Sequence, residues 1–481
     1  MSAPPPSAFC WFDYETFGTS PRWDRPAQFA SIRTDAELEI VAEPVVLHCR
    51  QAEDYLPHPG ACRVTGLDPE TVNGRGLPEH RFIDAVRTEL GASGTCSVGY
   101  NSIRFDDEVT RHTLWRNLRD PYAHEWQGGS SRWDLIDVVR LTRALRPDGI
   151  EWPVIDGRPS NRLEHLAAAN ALEQGRAHDA LADVRATIAL ARLIRARHPR
   201  LFAWTLAHRD KRSLRALLDP ARAEPRLLVA PTIPAARHHL ASVVPIAPHP
   251  TNASAVIVLD LGRDPEALVG LDAAEIAARV FAPALAADDP TRLGLHAVAL
   301  NRCPIVVPRS TMRAEDAERL GVDRDAEERR LRSLETLLEA PLLARVGEAF
   351  AARGGAGGGD GRDVDVDASL YAGGFLSEED RLRLAELRAA DPCSLARAAP
   401  RFDDPRLEEL LFRYRARNHP ETLDADERAR WRAHVNARLD AEGEVPWLTR
   451  EGFARAIAAE TWREEEASLR AALERYAPAL S

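Results

Sequence analysis

Lysine is almost absent from this chain. Of its 63 basic residues only Lys211 is a lysine, and the rest are arginine. So complete a bias reflects genome composition as readily as phosphate binding, so it argues little for a nucleic-acid partner. Cysteine is scarce as well: Cys10, Cys49, Cys62, Cys96, Cys303 and Cys393. No two of them form C-x-x-C, so neither a zinc site nor a disulfide framework is signalled. Long apolar runs are missing. None approaches the roughly 18 residues that cross a bilayer. The opening MSAPPPSAF lacks the basic and apolar regions of a secretory signal. The expected setting is a reducing cytoplasm with no membrane role. A surplus of positive charge is also missing, since the formal net charge is -11. Taken alone that argues against a nucleic-acid binder. Net charge is an average, however, and local distribution matters more.

What is present describes an ordinary soluble protein: 44% hydrophobic and 28% charged residues. A length of 481 residues suggests two to four domains. Residues 9–50 read as a β-meander, with FCWFDYETF, QFASIRTD and IVAEPVVLHCR broken by turn residues. TCSVGYNSIRF (95–105) is a further strand leading into a loop. DDEVTRHTLWRNL, WDLIDVVRLTRAL, LEHLAAANAL and HDALADVRATIALARLIRAR have helical spacing. Strands followed by mixed strands and helices give an α/β domain over 1–200. Residues 201–228 read as helix. From 229 to 310 the runs RLLVAP, ASVVPIAP, SAVIVLDLG and CPIVVP suggest a small β-rich domain. Helices return after it, and 201–351 is taken as one domain. ARGGAGGGDGRD supplies a glycine-rich linker at 352–363. Residues 364–481 read as helical throughout.

The stretch WFDYETFGTS (11–20) raises a question of charge. It reads as a buried strand, yet it contains Asp13 and Glu15. Residues two apart in a strand point the same way, so the two carboxylates project side by side. Like charges that close repel, and burial raises the cost. A divalent cation resolves the conflict, because Mg²⁺ takes oxygen ligands from carboxylates, water and phosphate. A lone D-x-E is common by chance among 74 acids. Three more residues strengthen the case. Asp106 sits where a strand gives way to a helix. His178 and Asp183 lie in HDALADV. Five residues apart on one helix would turn them about 140° away from each other. They converge only if His178 precedes the helix and Asp183 lies in its first turns. Ala180 and Ala182 would let that helix pack close to the sheet. Four acids and a histidine suit two-metal phosphoryl transfer, with the histidine as proton acceptor.

In this order, Asp13, Glu15, Asp106, His178 and Asp183 resemble the DEDD exonuclease superfamily in its histidine-bearing branch. Longer stretches resemble the bacterial exodeoxyribonuclease I family. These include FDYETFGTSPRWDRPAQFASIRTD, GYNSIRFDDEVTR, RLEHLAAAN, AHDALADVRAT and LLFRYRARNHPETLDADE. The resemblance covers nearly the whole chain. It implies an RNase H-like exonuclease domain, an SH3-like β-rich domain and an all-helical C-terminal domain. It further implies processive 3′→5′ hydrolysis of single-stranded DNA to 5′-mononucleotides, in repair and recombination. Asp13, Glu15, Asp106 and Asp183 would bind two Mg²⁺ ions, with Mn²⁺ as a possible substitute, and His178 would be the general base. Glu15 and Arg162 would meet the substrate, with Thr16 and Phe17 beside the terminal nucleotide. Two rivals stay open: an exoribonuclease of the same superfamily, and a catalytically silent DNA-end-binding protein.

Residues 192–226 carry ten Lys/Arg against three acids, which answers the objection from net charge. The resemblance places Arg111, Tyr122, Trp126, Arg140, Trp204 and Lys211 along the DNA path. RYRARN (413–418) adds arginines interleaved with Tyr414, in the manner of single-strand binders. The family also binds the acidic C-terminal tail of single-stranded DNA-binding protein, and Arg146 and Arg313 match the basic positions for it. The family suggests a monomer.

Overall fold

The computed structural model describes residues 3–172, 179–281, 289, 292–356, 364–398 and 400–476. The chain forms two compact units. One comprises 7–130, 174–186 and 360–481, and the other 1–6, 131–173 and 187–359.

The first unit is organised by strands β1 (Ala8–Thr16), β2 (Pro26–Thr34), β3 (Val45–His48) and β4 (Thr95–Gly99). Their order is β3-β2-β1-β4. The first three are antiparallel, and β4 runs parallel to β1. The meander expected over 9–50 is therefore present. Alternation along β1 decides what each face does. Cys10, Phe12 and Tyr14 enter a core with Phe29, Phe82, Val86 and Val109. Asp13 and Glu15 fall on the opposite face.

Helix α1 (Asp106–Arg116) follows β4 after one 3₁₀ turn. Three acids in its first turn suit the positive end of the helix dipole. Helix α2 (Ala180–Arg197) begins in this unit. The C-terminal helices pack into the same unit rather than standing apart. Phe17, Tyr55 and Leu56 share one core with Phe412, Trp431, Val435 and Phe453. Trp115 and Leu118 share another with Leu370, Leu384 and Leu410. Each such side chain contributes about 1.5–3 kcal/mol when fully buried.

The second unit is built on an antiparallel sheet. Its strands are β5 (Arg226–Val229), β6 (Leu240–Pro248), β7 (Ala255–Asp260), β8 (Leu295–Ala299) and β9 (Ile305–Pro308). The order is β8-β7-β6-β5-β9. Sequence reading anticipates four of them and misses β8. That strand is at the sheet edge and buries only Leu295 and Val298, so its apolar signal is weak. One side of the sheet packs Val244, Ile257, Leu259 and Ile276 with Val346 and Phe350. The other packs Leu214 and Leu218 with Val243, Val258 and Val306. Regular helix Ala340–Ala356 extends past residue 352, where the linker was expected to begin. Residues 357–363 lie outside the described residues. Among the described residues no helix is long and apolar enough to cross a membrane.

Candidate active site

The site grows from one strand. On β1, Asp13 pairs with Ala30 and Glu15 with Gln28, and the register slips between Glu15 and Thr16. Such bulges end pairing and re-aim side chains beside functional sites. Asp183 arrives from the first turn of α2. Oxygens of Asp13, Glu15 and Asp183 all lie within 4.8 Å of one another. Ala180 and Ala182 are buried at the start of that helix, as close packing on the sheet requires. Asp106 comes from the first position of α1. Its Oδ1 accepts the backbone N–H of Tyr14 at 3.1 Å, between the two acids of β1. Tyr14 itself points away. Its ring packs on Phe29 at 5.0 Å, and its hydroxyl accepts from Thr110 Oγ1 at 3.0 Å.

Mutual repulsion opposes ionising all four carboxylates of this cluster together. Burial, and then Asp106, Glu15 and Asp183, push the Asp13 carboxyl well above the usual carboxylate range. Burial, and then Asp183, Asp106 and Asp179, raise Glu15 to about 8. Two unit charges 4 Å apart repel by about 4 kcal/mol at an effective dielectric of 20. The donors are all carboxylate oxygens, which fits a hard divalent cation. Asp13, Glu15 and Asp183, with Asp106 beside them, can hold such ions and orient a phosphate against them.

His178 lies outside the described residues. Its neighbour Asp179 accepts the N–H of Leu181 at 3.2 Å, fixing the first turn of α2. Sequence reading missed Gln28. This buried side chain stands opposite Glu15, and its Oε1 accepts the N–H of Ala180 at 3.2 Å. It ties the helix that carries Asp183 to the strand beside β1. The available signal was a lone amide in an otherwise apolar strand, QFASI.

Several expected contact residues have other work. Phe17 is 0% exposed within the core it shares with the C-terminal helices, so its ring cannot meet a nucleotide. Thr16 is buried and donates its hydroxyl to Gly18 O at 2.6 Å. Arg111 is buried between Glu125 at 2.7 Å and Glu108 at 2.8 Å, and stands over the Tyr122 ring at 5.4 Å. It braces the wall that presents Tyr122. Trp126, in contrast, is 64% exposed. The RYRARN run is not a surface track. Tyr414 is core. Arg413 pairs with Asp365 and Asp367, Arg415 with Glu427, and Arg417 with Asp54 and Asp367. Helical spacing turned those side chains inward, where the buried Asp54 and Asp367 and the half-buried Asp365 and Glu427 hold them.

In the second unit, Arg162 precedes helix Leu163–Ala169 with its side chain 74% exposed. Arg140 donates to Asp137 at 2.6 Å. Trp204 stacks on His208 at 4.0 Å and donates to Val306 O at 3.1 Å. Lys211 is exposed and reaches Ser254 Oγ at 2.6 Å. The structure brings Arg146 and Arg313 to one carboxylate. Arg146 Nη1 lies 3.1 Å from Asp316 Oδ2, which also accepts the backbone N–H of Arg313 at 3.0 Å. The Arg313 side chain is exposed and pairs with Glu315 at 2.8 Å.

A carboxylate cluster that could hold a divalent cation, on a mixed sheet, has the chemistry of a nuclease, and the matches to known proteins place the chain in the exonuclease class. The family model for Exonuclease matches residues 10–191. Those for the Exonuclease I SH3-like domain and the Exonuclease I C-terminal domain match 209–352 and 364–480. Exodeoxyribonuclease I of Escherichia coli (strain K12) is 44% identical over 430 residues, 89% of each chain. The structure of an Exonuclease I from Methylocaldum szegediense is 47% identical, with a TM-score of 0.91 over 98% of this chain and 99% of that one. Escherichia coli Exonuclease I in complex with a dA16 oligonucleotide is 40% identical, with a TM-score of 0.89 over 99% and 100%. An ExoI/SSB-Ct complex matches at 40% identity with a TM-score of 0.89 over 99% of each chain. The chain belongs to the exodeoxyribonuclease I family. Its fold is an exonuclease domain followed by an SH3-like domain and a helical C-terminal domain.

Proposed function

We propose that the chain is a processive, Mg²⁺-dependent 3′→5′ exonuclease that degrades single-stranded DNA to 5′-mononucleotides, acting in repair and recombination. The observation that carries this reading is the convergence of Asp13, Glu15 and Asp183, with Asp106 beside them, on one face of β1. When bound, two Mg²⁺ ions supply charge neutralisation and a more acidic water; Mn²⁺ could serve in their place. Asp13, Glu15, Asp106 and Asp183 hold the ions and orient the terminal phosphate. His178 takes the proton from the attacking water. Arg162 grips two phosphate oxygens as a planar fork.

Single-stranded DNA as substrate is supported by the relative solved with a dA16 oligonucleotide. Trp126 is open to stack on a base, and Tyr122 stands beside it in the chain. Arg140, Trp204 and Lys211 would also contact the strand, and Arg111 would hold the Tyr122 ring in place. Arg146 and Arg313 would receive the acidic tail of single-stranded DNA-binding protein, a partner supported by the ExoI/SSB-Ct relative. The protein works as a monomer in the cytoplasm, a setting that suits its free cysteines. The domain plan is 1–200, 201–351 and 364–481, with 352–363 as linker.

The test is degradation of 3′-labelled and 5′-labelled single-stranded DNA, with RNA alongside, with and without Mg²⁺. Early release of the 3′ label from DNA, only with metal, is the expected result. Preference for RNA would mean an exoribonuclease. Binding without any cleavage would mean a silent end-binding protein.

A further inference from the structure

The sheet of the second unit carries a cavity that the nuclease reading does not use. Its volume is about 400 Å³, and its lining is drawn from residues 232–350, all within that unit. It lies beside the end of β7 and the start of β8. Part of its wall is apolar: Ile233, Val280, Phe281 and Phe350. The two rings meet edge to face at 5.1 Å.

The rest of the lining is cationic. Arg237, Arg263, Arg292 and His296 stand there against one carboxylate, Asp260. That acid is buried and already engaged. Its Oδ1 accepts Arg237 Nη2 at 3.0 Å and the N–H of Gly262 at 2.8 Å. Arg263 donates to the carbonyl of Asp289 at 3.0 Å. Two glycines make room for these arginines. A Cβ on Gly262 would lie 2.5 Å from Arg237 Nη2, and one on Gly294 would lie 2.8 Å from the Arg263 Cβ. Two donors are left over. Among the described residues Arg292 forms no ion pair with a carboxylate, and the His296 side chain makes no hydrogen bond. Burial lowers the His296 pKa; Asp260 opposes the shift, and Arg237, Arg292 and Arg263 add to it. Its imidazole is therefore neutral at pH 7, with one N–H to donate. A group of partly withdrawn cations with one carboxylate among them favours a further anion.

We propose that this cavity binds a small organic anion, a carboxylate or phosphate on an apolar body, with the charged group on Arg292 and His296 and the body against Val280 and Phe281. A guanidinium fork matches the oxygens of either group. An apolar lining with a few convergent polar groups, at this volume, is the usual make-up of a small-molecule site. The inference does not rest on the carboxylate cluster of the first unit being catalytic.

The test is calorimetric titration of the full chain in EDTA, which keeps metal-held phosphate out of the reading. The probes are phenyl phosphate, phenylacetate, benzyl alcohol and inorganic phosphate. At least one of the two aryl anions should bind saturably, about tenfold or more tighter than both the alcohol and inorganic phosphate. The tighter of the two identifies the charged group. Arg292→Leu and His296→Leu should each weaken that binding about tenfold. Both variants should unfold at the native temperature, since neither change removes a side-chain bond within the unit. Four results overturn the proposal: no saturable binding of either aryl anion, equal binding of inorganic phosphate, unchanged affinity in both variants, or displacement of the bound anion by a short oligo-dA, which would make the cavity part of the DNA surface.

Discussion

Asp13 and Asp54 are aspartates of the same unit, both withdrawn from bulk water, yet their surroundings push them in opposite directions. Around Asp13 stand Asp106, Glu15 and Asp183, and its carboxyl rises well above the usual range. Burial raises Asp54 too, but Arg417 and Arg25 outweigh it and hold its carboxyl well below that range. Asp367 behaves like Asp54, with Arg417 and Arg413 as its partners. Arg417 bridges Asp54 and Asp367, which joins the N-terminal sheet segment to the C-terminal helices inside one unit. The difference separates two uses of a buried charge. A carboxylate with its cation built in is structural. A group of carboxylates packed against one another has the donor set that a divalent cation takes.

The largest effect should come from breaking the acid cluster around Asp13. Asp13→Asn should lower DNA cleavage by about 10³-fold or more, about 4 kcal/mol of barrier. It should leave the metal-free fold as stable as before or more so, because it removes a repulsion. Steady-state cleavage and thermal unfolding of the same preparation check both halves. A variant that unfolds would place Asp13 with Asp54, among the structural acids.

Breaking the paired cluster should do the reverse. Asp54→Asn leaves Arg417 and Arg25 short of a partner, and loss of one member of a buried pair costs about 3–5 kcal/mol. Chemical denaturation should report that loss, with cleavage kept in the molecules that remain folded.

Acidity should separate the two clusters next. Glu15 has a folded pKa raised from 4.5 to about 8. The unfolded chain therefore ionises first, and the metal-free protein should lose stability as pH rises from about 4.5 to about 8. Saturating Mg²⁺ should flatten that slope. Asp54 and Asp367 have lowered pKa values. Their contribution is present above the ordinary aspartate value and is lost as pH falls below it. Unfolding midpoints across pH, with chelator and with Mg²⁺, should show both limbs.

The smallest effect belongs to Gln28. Gln28→Ala removes one hydrogen bond from the start of α2, worth about 1 kcal/mol net. The expected reading is about fivefold weaker Mg²⁺ affinity with a smaller change in maximal rate. An equal loss in rate at saturating Mg²⁺ would mean that Gln28 does more than place Asp183.

Alternation along β1 made much of this legible in the sequence. Asp13 and Glu15 share a face because the strand period is two, and Tyr14 turns away for the same reason. The spacing of His178 and Asp183 required Asp183 to lie in the first turns of its helix, and it does; His178 lies outside the described residues. Tertiary partners were not legible. Phe17 follows the bulge after Glu15 and enters a core completed by residues some 400 positions later. The RYRARN arginines read as a surface track because the carboxylates that bury them, Asp54, Asp365, Asp367 and Glu427, lie elsewhere in the chain. Gln28 was hidden because its partner is a backbone N–H, which no side-chain pattern reveals.

The clustered acids of β1, α1 and α2 are expected to hold divalent cations. Calorimetric titration of Mg²⁺ into chelator-stripped protein near pH 7.5 tests it most directly, with Asp13→Asn beside the native chain. The account predicts saturable binding with proton release by the native chain, since Glu15 is partly protonated there, and greatly weakened binding by the variant. Equal binding by both, or none by the native chain, would contradict it.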